Sequence, residues 1–245
     1  MEQYGIWIQY LPVVQWRIVA QEASKSAGRY KRFLTGKGID IGCGPDPIAP
    51  DAFCWDLEQG DAQKLENIPD EMFDYCFSSH CLEHLHNPLE GLLNWWRVLR
   101  PGGHMVILVP EEDLYEQTCW PSAFNDDHKT TWAIYKTASW SPVSQNLLDL
   151  IKYLPNAKLI LAETLAQGYR YDLEGIQDQT VLGAEASIGL VLRKLAPPGE
   201  GVTTLEQTYR CPKCKGELLL RGKLRDAQGW SIRCTKCDVV GTMNV

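Results

Sequence analysis

The run "FDYCFSSHCLEHLHNPLEGLLNWWRVLRPGGHMVILVP", residues 73–110, constrains this chain more than any other stretch. It begins and ends as short apolar segments rich in residues that suit a buried strand. Between them, Asn87 is placed to cap a helix with Pro88 at its first position. Arg97 and Arg100 fall near its end, followed by Pro101 and two glycines, Gly102 and Gly103. Strand, helix and strand in that order require a parallel pair joined by a right-handed crossover.

The flanking segments extend the same pattern. "KGIDIG" and "AFCWDL" read as short buried strands upstream. Downstream, "SPVSQNLLDLIKYL" reads as a helix, and "AKLILAETL" and "ASIGLVLRK" as two further strands. "LAPPGEGVTT" has the proline and glycine content of a linker. The expected organisation is a cap helix over 1–35, a core over 36–195 with a long loop at 110–143, a linker over 196–206 and a small tail domain over 207–245. The first twenty residues are apolar and aromatic, but Gln9, Pro12, Gln15 and Arg17 interrupt them well short of a membrane span. With no basic leader or cleavage site to mark secretion, the expected location is cytoplasmic.

Charge divides the chain unevenly. The net charge of the 245 residues is −7; from Gly201 onward there are eight Lys or Arg against four Asp or Glu, so the tail carries about +4 and the rest about −11. A body that acidic disfavours nucleic acid as a partner, although the tail alone is basic.

"GIDIGCGPDPIAPDAFCWDLEQGDA", residues 38–62, places a Gly-x-Gly directly after a strand. Such a turn lets backbone approach a ligand with no Cβ in the way. A dinucleotide fingerprint would need a third glycine where Pro47 stands, and there is no Gly-Lys-Ser/Thr phosphate loop. Asp56 ends the second strand, where a carboxylate can accept from the hydroxyls of an unphosphorylated ribose. Asp61 follows close behind. Two carboxylates repel phosphate and tolerate a cationic nucleoside, which suits a sulfonium adenosine.

In combination, "IDIGCG", "GDAQKL" and the 73–110 run resemble the class I S-adenosylmethionine-dependent methyltransferases, in particular the group that includes ubiquinone and menaquinone biosynthesis enzymes. The resemblance implies an α/β fold with a doubly wound, mostly parallel, seven-stranded Rossmann-like sheet, and S-adenosylmethionine as cofactor. It implies that Asp40, Gly42 and Gly44 form the loop under the methionine part, that Asp56 holds the ribose, and that Asp61 with Ala62 contacts adenine. Ser79 and His80 would lie beside the methionine amine and the transferable methyl. Only eleven residues separate Gly44 from Asp56, and four separate Asp56 from Asp61. The helices after the first and second strands are therefore expected to be shortened or lost.

Methyl transfer from sulfonium is an in-line displacement in which the protein mainly aligns the acceptor. A hydroxyl acceptor must also lose a proton, which a placed base assists by about 10² to 10⁴-fold. His80, at the mouth of the expected site, and His128, in "FNDDHKTTW", are the candidate bases. His84 and His86 read as capping or packing residues and His104 as structural. The loop "EEDLYEQTCWPSAFNDDHKTTW" loosely resembles one in methyltransferases that modify cell-surface saccharides, since rings stack on sugar CH faces and acids grip hydroxyls. A lid packed on the core is the plainer alternative.

Of nine cysteines, Cys43, Cys54, Cys76, Cys81 and Cys119 are scattered among apolar runs and are expected to be reduced and buried. Cys211, Cys214, Cys234 and Cys237 form two Cys-x-x-Cys pairs at the spacing of a closed, structural four-cysteine zinc site. "YRCPKCKGELLL" further resembles the zinc-ribbon activator subunits of transfer-RNA and ribosomal methyltransferases. The expected function is O-methylation of a small-molecule or saccharide acceptor, in a monomer or homo-oligomer. The alternatives are an RNA methyltransferase that grips RNA through its ribbon, and a catalytically silent cofactor-binding protein.

Overall fold

The computed structural model describes residues 28–197, 218–223, 230–234, 237 and 240–243. It divides into two compact units, Met1–Pro197 and Pro198–Val245. The first is built on a sheet of six strands: β1 (Gly38–Ile41), β2 (Phe53–Trp55), β3 (Phe73–Ser79), β4 (Leu99–Pro110), β7 (Ala157–Leu165) and β8 (Ser187–Lys194). Their order is β2-β1-β3-β4-β8-β7. β2, β1, β3 and β4 are mutually parallel, while β8 pairs antiparallel with both β4 and β7. β7 therefore runs with the parallel set, and β8 alone opposes it. Two short strands, β5 (Thr131–Ala133) and β6 (Ser144–Asn146), pair with each other outside this sheet.

Alternation along β3, β4 and β8 sorts side chains onto two faces. Cys76, Met105, Ile107, Val109, Leu190 and Leu192 face the larger apolar cluster, which the crossover helix α1 (Pro88–Arg97) completes with Leu92, Trp95 and Trp96. Tyr75, Phe77, Val106, Leu108 and Val191 face the other cluster. Asn87 caps α1 as expected, its side chain accepting from Glu90 N at 3.2 Å, with Pro88 at the first position. The expected stop glycines act differently. α1 ends at Arg97, and Phe73 pairs with Leu99 while Tyr75 pairs with His104, so residues 100–103 bulge out of the ladder.

Several expectations are corrected. Six strands, not seven, make the sheet among the described residues, because the stretch between β2 and β3 forms only turns. Of the two outcomes expected for the helices after β1 and β2, loss is the one observed: residues 42–52 and 56–72 contain none. The face opposite α1 is covered by Tyr30, which ends a helical segment at residues 28–30, by Phe33 and by the loop residue Ile48. The run 141–154 is mostly not α-helix. It yields β6, a four-residue helix α2 (Leu147–Leu150) and a single 3-10 turn, Ile151–Tyr153. Asn146 caps α2 by accepting from Leu148 N, which lets β6 run directly into it. The expected cap helix falls largely on residues outside the described set.

In the second unit, β9 (Leu218–Lys223), β10 (Trp230–Cys234) and β11 (Val240–Met243) form an antiparallel sheet in the order β11-β10-β9. Cys234 ends β10 and Cys237 lies in the turn beyond it. Cys211 and Cys214 lie outside the described residues.

A turn segment without helices leaves carbonyls that need donors. Side chains of α1 supply them. Trp95 Nε1 donates to Ala62 O at 2.7 Å and Asn94 Nδ2 to Gln63 O at 2.9 Å. Arg97 donates to Ile68 O at 2.6 Å, to Leu65 O at 3.2 Å and to Asp70 at 2.6 Å. One guanidinium thus ties residues 65–70, just ahead of β3, to the helix. Arg97→Ala is expected to lower unfolding free energy by roughly 1–3 kcal/mol, the cost of stranding partly buried acceptors. Arg97→Lys should recover only a minor part, because an ammonium lacks the planar fork. Urea unfolding midpoints check this; full recovery by lysine would show that charge alone matters.

Candidate active site

The parallel strands bring the ends of β1, β3 and β4 to one edge of the sheet, where open α/β folds place their ligands. From β1 the chain enters the glycine turn. Gly42 and Gly44 have φ of +75° and +55°, a region costly for any residue with a side chain. A Cβ on Gly42 would also stand 2.7 Å from the Cβ of Cys81, so this turn packs directly on the chain leaving β3.

Two aspartates shape the turn. Asp56 Oδ2 accepts from Gly44 N at 2.8 Å and Oδ1 from Leu57 N at 2.7 Å. Asp40 is 2% exposed, and its Oδ2 accepts from Ile48 N at 2.7 Å. It thus braces the loop from inside. A disulfide links Cys43 to Cys54, with Cα atoms 5.6 Å apart. These two cysteines are therefore not the reduced thiols expected from sequence: the glycine turn folds back over β2 and brings them together. Cys76, Cys81 and Cys119 remain thiols, and burial pushes the first two well up from the ordinary thiol range.

Asp61 is exposed and accepts from Gln63 N at 2.8 Å in a local turn, and Ala62 is half-buried against the large cluster. At the end of β3, Ser79 is buried with its hydroxyl unpartnered. His80 holds a φ of +53°, pinned by its N–H donating to Leu108 O at 3.0 Å. Backbone strain of that kind persists where surrounding structure over-determines it. Its ring reaches Ser187 Oγ at 3.3 Å and Glu83 Oε1 at 3.4 Å.

His128 is also brought to this edge. It is 7% exposed, and its Nδ1 lies 2.6 Å from Oε1 of the buried Glu116. His84 stands against it edge to face, ring centroids 5.1 Å apart, with Nδ1 2.9 Å from Asp127 Oδ2. Glu83 is fully buried. Burial pushes its carboxyl up, but the imidazoles of His80, His84 and His128 outweigh that and hold it below the ordinary range. Glu83, His84 and Glu116 were not singled out from sequence as functional. The His80-x-x-Glu83-His84 spacing was the available signal, since a single helical turn puts such residues side by side. His86 is exposed, and His104 packs against Phe33 with centroids 5.3 Å apart, remote from the group around Glu83.

After β4 the long loop is held by its own carboxylates. Glu111 Oε2 accepts from Asp113 N and Leu114 N at 2.8 and 2.9 Å. Glu112 is bound by Lys136 at 2.9 Å, Ser139 at 2.6 Å and Thr131 at 2.8 Å. Burial pushes Glu112 up, but these donors outweigh it. Asp113 accepts from Trp140 Nε1 at 2.9 Å and from Lys136 at 2.6 Å.

Residues 37–107 match the family model described as a methyltransferase domain. That segment carries the chain's similarity to this family. No curated protein matches the chain. Among solved structures, the chain is similar to an S-adenosylmethionine-dependent methyltransferase, possible histamine N-methyltransferase, from Thermotoga maritima. The identity is 17% and the TM-score 0.48, over 76% of this chain and 97% of that one. It is similar to a methyltransferase from Archaeoglobus fulgidus at 16% identity and TM-score 0.47, over 76% of this chain and 100% of that one. A third likeness is to the complex between the Haloferax volcanii Trm112 methyltransferase activator and the putative methyltransferase. It has 14% identity and a TM-score of 0.46, over 73% of this chain and 90% of that chain.

Asp40 yields a pH prediction. Burial, opposed by the Ile48 N–H and reinforced by Asp56 and Asp46, pushes its carboxyl up from 3.8 to about 7. Between those values the folded chain keeps a proton that the unfolded chain has released, so stability falls as pH rises through this window and is level above it. The total is at most about 4 kcal/mol. Asp40→Asn, which cannot ionise, should flatten the decline and be relatively more stable at pH 8 than at pH 4. Melting temperatures of both proteins across that range decide it; parallel profiles would refute the assignment.

Proposed function

We propose that this chain transfers the methyl group of S-adenosylmethionine to a hydroxyl of a small-molecule or saccharide acceptor. The observation that carries the reading is the methyltransferase-domain match over 37–107, which contains both the glycine turn and Asp56. Each Asp56 oxygen accepts one loop N–H. A carboxylate oxygen has a second lone pair, and these are left for the ribose hydroxyls. Gly42 and Gly44 offer backbone to the methionine part, with Asp40 bracing them from behind. Asp61 and Ala62 border adenine, and Ser79 and His80 face the methionine amine and methyl.

In the reaction the acceptor O–H gives up its proton and its oxygen attacks the methyl carbon in line with the carbon–sulfur bond. That bond breaks, and the sulfur leaves as the neutral thioether S-adenosylhomocysteine. His80 and His128 are the candidate bases. The second is oriented through Nδ1 by Glu116, which leaves Nε2 for the acceptor. Aromatic and acidic residues of the loop after β4, including Tyr115 and Trp140, suit a hydroxyl-rich ligand better than a polyanion. In the tail, Cys211, Cys214, Cys234 and Cys237 hold one structural zinc, which braces a sheet too small to bury a core of its own.

Isothermal calorimetry is expected to show S-adenosylhomocysteine binding that Asp56→Ala weakens more than about ten-fold, since hydrogen bonds to a charged group are worth ~1.5–3 kcal/mol. Tight NAD binding with none of S-adenosylhomocysteine would overturn the reading. Labelled methyl groups offered with fractionated cell extract should enter a saccharide or small-metabolite fraction. Label in a ribonuclease-sensitive fraction would replace the acceptor class and keep the transfer.

A further inference from the structure

We propose that Glu83, His84 and His128 bind one divalent first-row transition ion at the acceptor side of this site. Each offers one ligand atom, and all three atoms lie within 4.8 Å of one another. Three features of the surroundings mark the group as a built site. Glu83 is fully buried, and neither of its oxygens has a hydrogen-bond partner. His84 Nε2 stands 4.0 Å and His80 Nδ1 3.4 Å from Oε1, close enough for charge contact without an aligned hydrogen bond. A buried carboxyl with no aligned donor is costly unless another group meets it.

The second feature is the orientation of the two imidazoles. His128 Nδ1 lies 2.6 Å from Glu116 Oε1, and His84 Nδ1 lies 2.9 Å from Asp127 Oδ2. A carboxylate that accepts from Nδ1–H fixes the tautomer, leaves the Nε2 lone pair free and raises its basicity. Both histidines thus have the backing carboxylate that metal-bound histidines usually have. The third is position. Glu83 and His84 follow the end of β3, and His128 lies on the loop after β4, so the donors converge from two elements onto the ligand edge of the sheet.

One carboxylate and two imidazoles suit Mn²⁺, Fe²⁺ or Zn²⁺ and leave coordination positions open for a ligand. On the methyl-transfer reading above, on which this part rests, the open positions take the acceptor oxygen. The ion then polarises the O–H so that its proton is lost more easily to water. His128 would be a ligand in that case and not the base, and His80, tied to Ser187 and Glu83, would stay beside the methyl.

The test is titration of the full chain, cleared of weakly held ions with EDTA, with Mn²⁺ followed by loss of the free-ion paramagnetic resonance signal. Mn²⁺ disfavours thiolates, so the tail cysteines do not compete. One equivalent is expected to bind. Glu83→Gln and His128→Gln should each weaken binding at least about ten-fold, and the backing variant Glu116→Gln by about 10 to 100-fold. Should either ligand variant fail to fold by circular dichroism, the less buried His84→Gln reads the same site. Absence of saturable binding, or binding unchanged in the folded variants, overturns the proposal. Calorimetry with S-adenosylhomocysteine on the same samples separates the two readings. Mn²⁺ binding without S-adenosylhomocysteine binding sinks methyl transfer and keeps the ion; the reverse sinks the ion alone.

Discussion

β1 is only four residues long, buried throughout, and paired on both sides, to β2 and to β3. Everything at the ligand edge depends on that pairing, because it sets the glycine turn between the end of β2 and the chain leaving β3. A strand so short carries little pairing energy of its own, and it has to bury a carboxylate, Asp40, in its third position. The compensation is local and specific: Asp40 accepts Ile48 N, Asp56 accepts Gly44 N, and the Cys43–Cys54 disulfide closes the same loop. Polar groups that would weaken a plain core are here what gives the turn a single shape.

Most of the sheet was legible because its strands are continuous apolar runs bounded by turn residues, and "FDYCFSS" and "AKLILAETL" coincide with β3 and β7. The helix α1 was legible from its Asn87 cap and Pro88. The stretch from 42 to 72 was not. Its short gaps left no room for full helices, but nothing in local propensity says that Trp95, Asn94 and Arg97 will reach across to satisfy its carbonyls. Those bonds join residues about thirty positions apart, so they exist only once the crossover has packed. The same holds for 141–154, whose apolar spacing reads as one helix. Pairing of Ser144–Asn146 with Thr131–Ala133 extends its first half and leaves only a turn or two of helix behind.

At the site, sequence reasoning named residues by type and spacing: the glycines, Asp56, His80 and His128. It passed over those whose meaning lies in their partners. Glu116 is one carboxylate among several in an acidic loop until the fold sets it 2.6 Å from His128 Nδ1. Glu83 reads as a solvated position in "CLEHLH" until Lys129 and Thr130 donate to its carbonyl and the loop after β4 closes over it.

The buried carboxylates of that region are not equivalent, and the contrast carries chemical weight. Glu111 is satisfied by two backbone N–H groups and the Tyr135 hydroxyl, and Glu112 by an ammonium and two hydroxyls. Both are complete, and their cost of burial is offset by the loop geometry they enforce. Glu83 is equally buried, yet it faces only imidazole rings and has no aligned donor. A loop able to supply donors to two glutamates at its base leaves this third one open. Its open lone pairs lie beside His80, His84 and His128. A buried carboxyl left without a donor is open to a ligand in a way that Glu111 and Glu112 are not, and that separates a site from a brace.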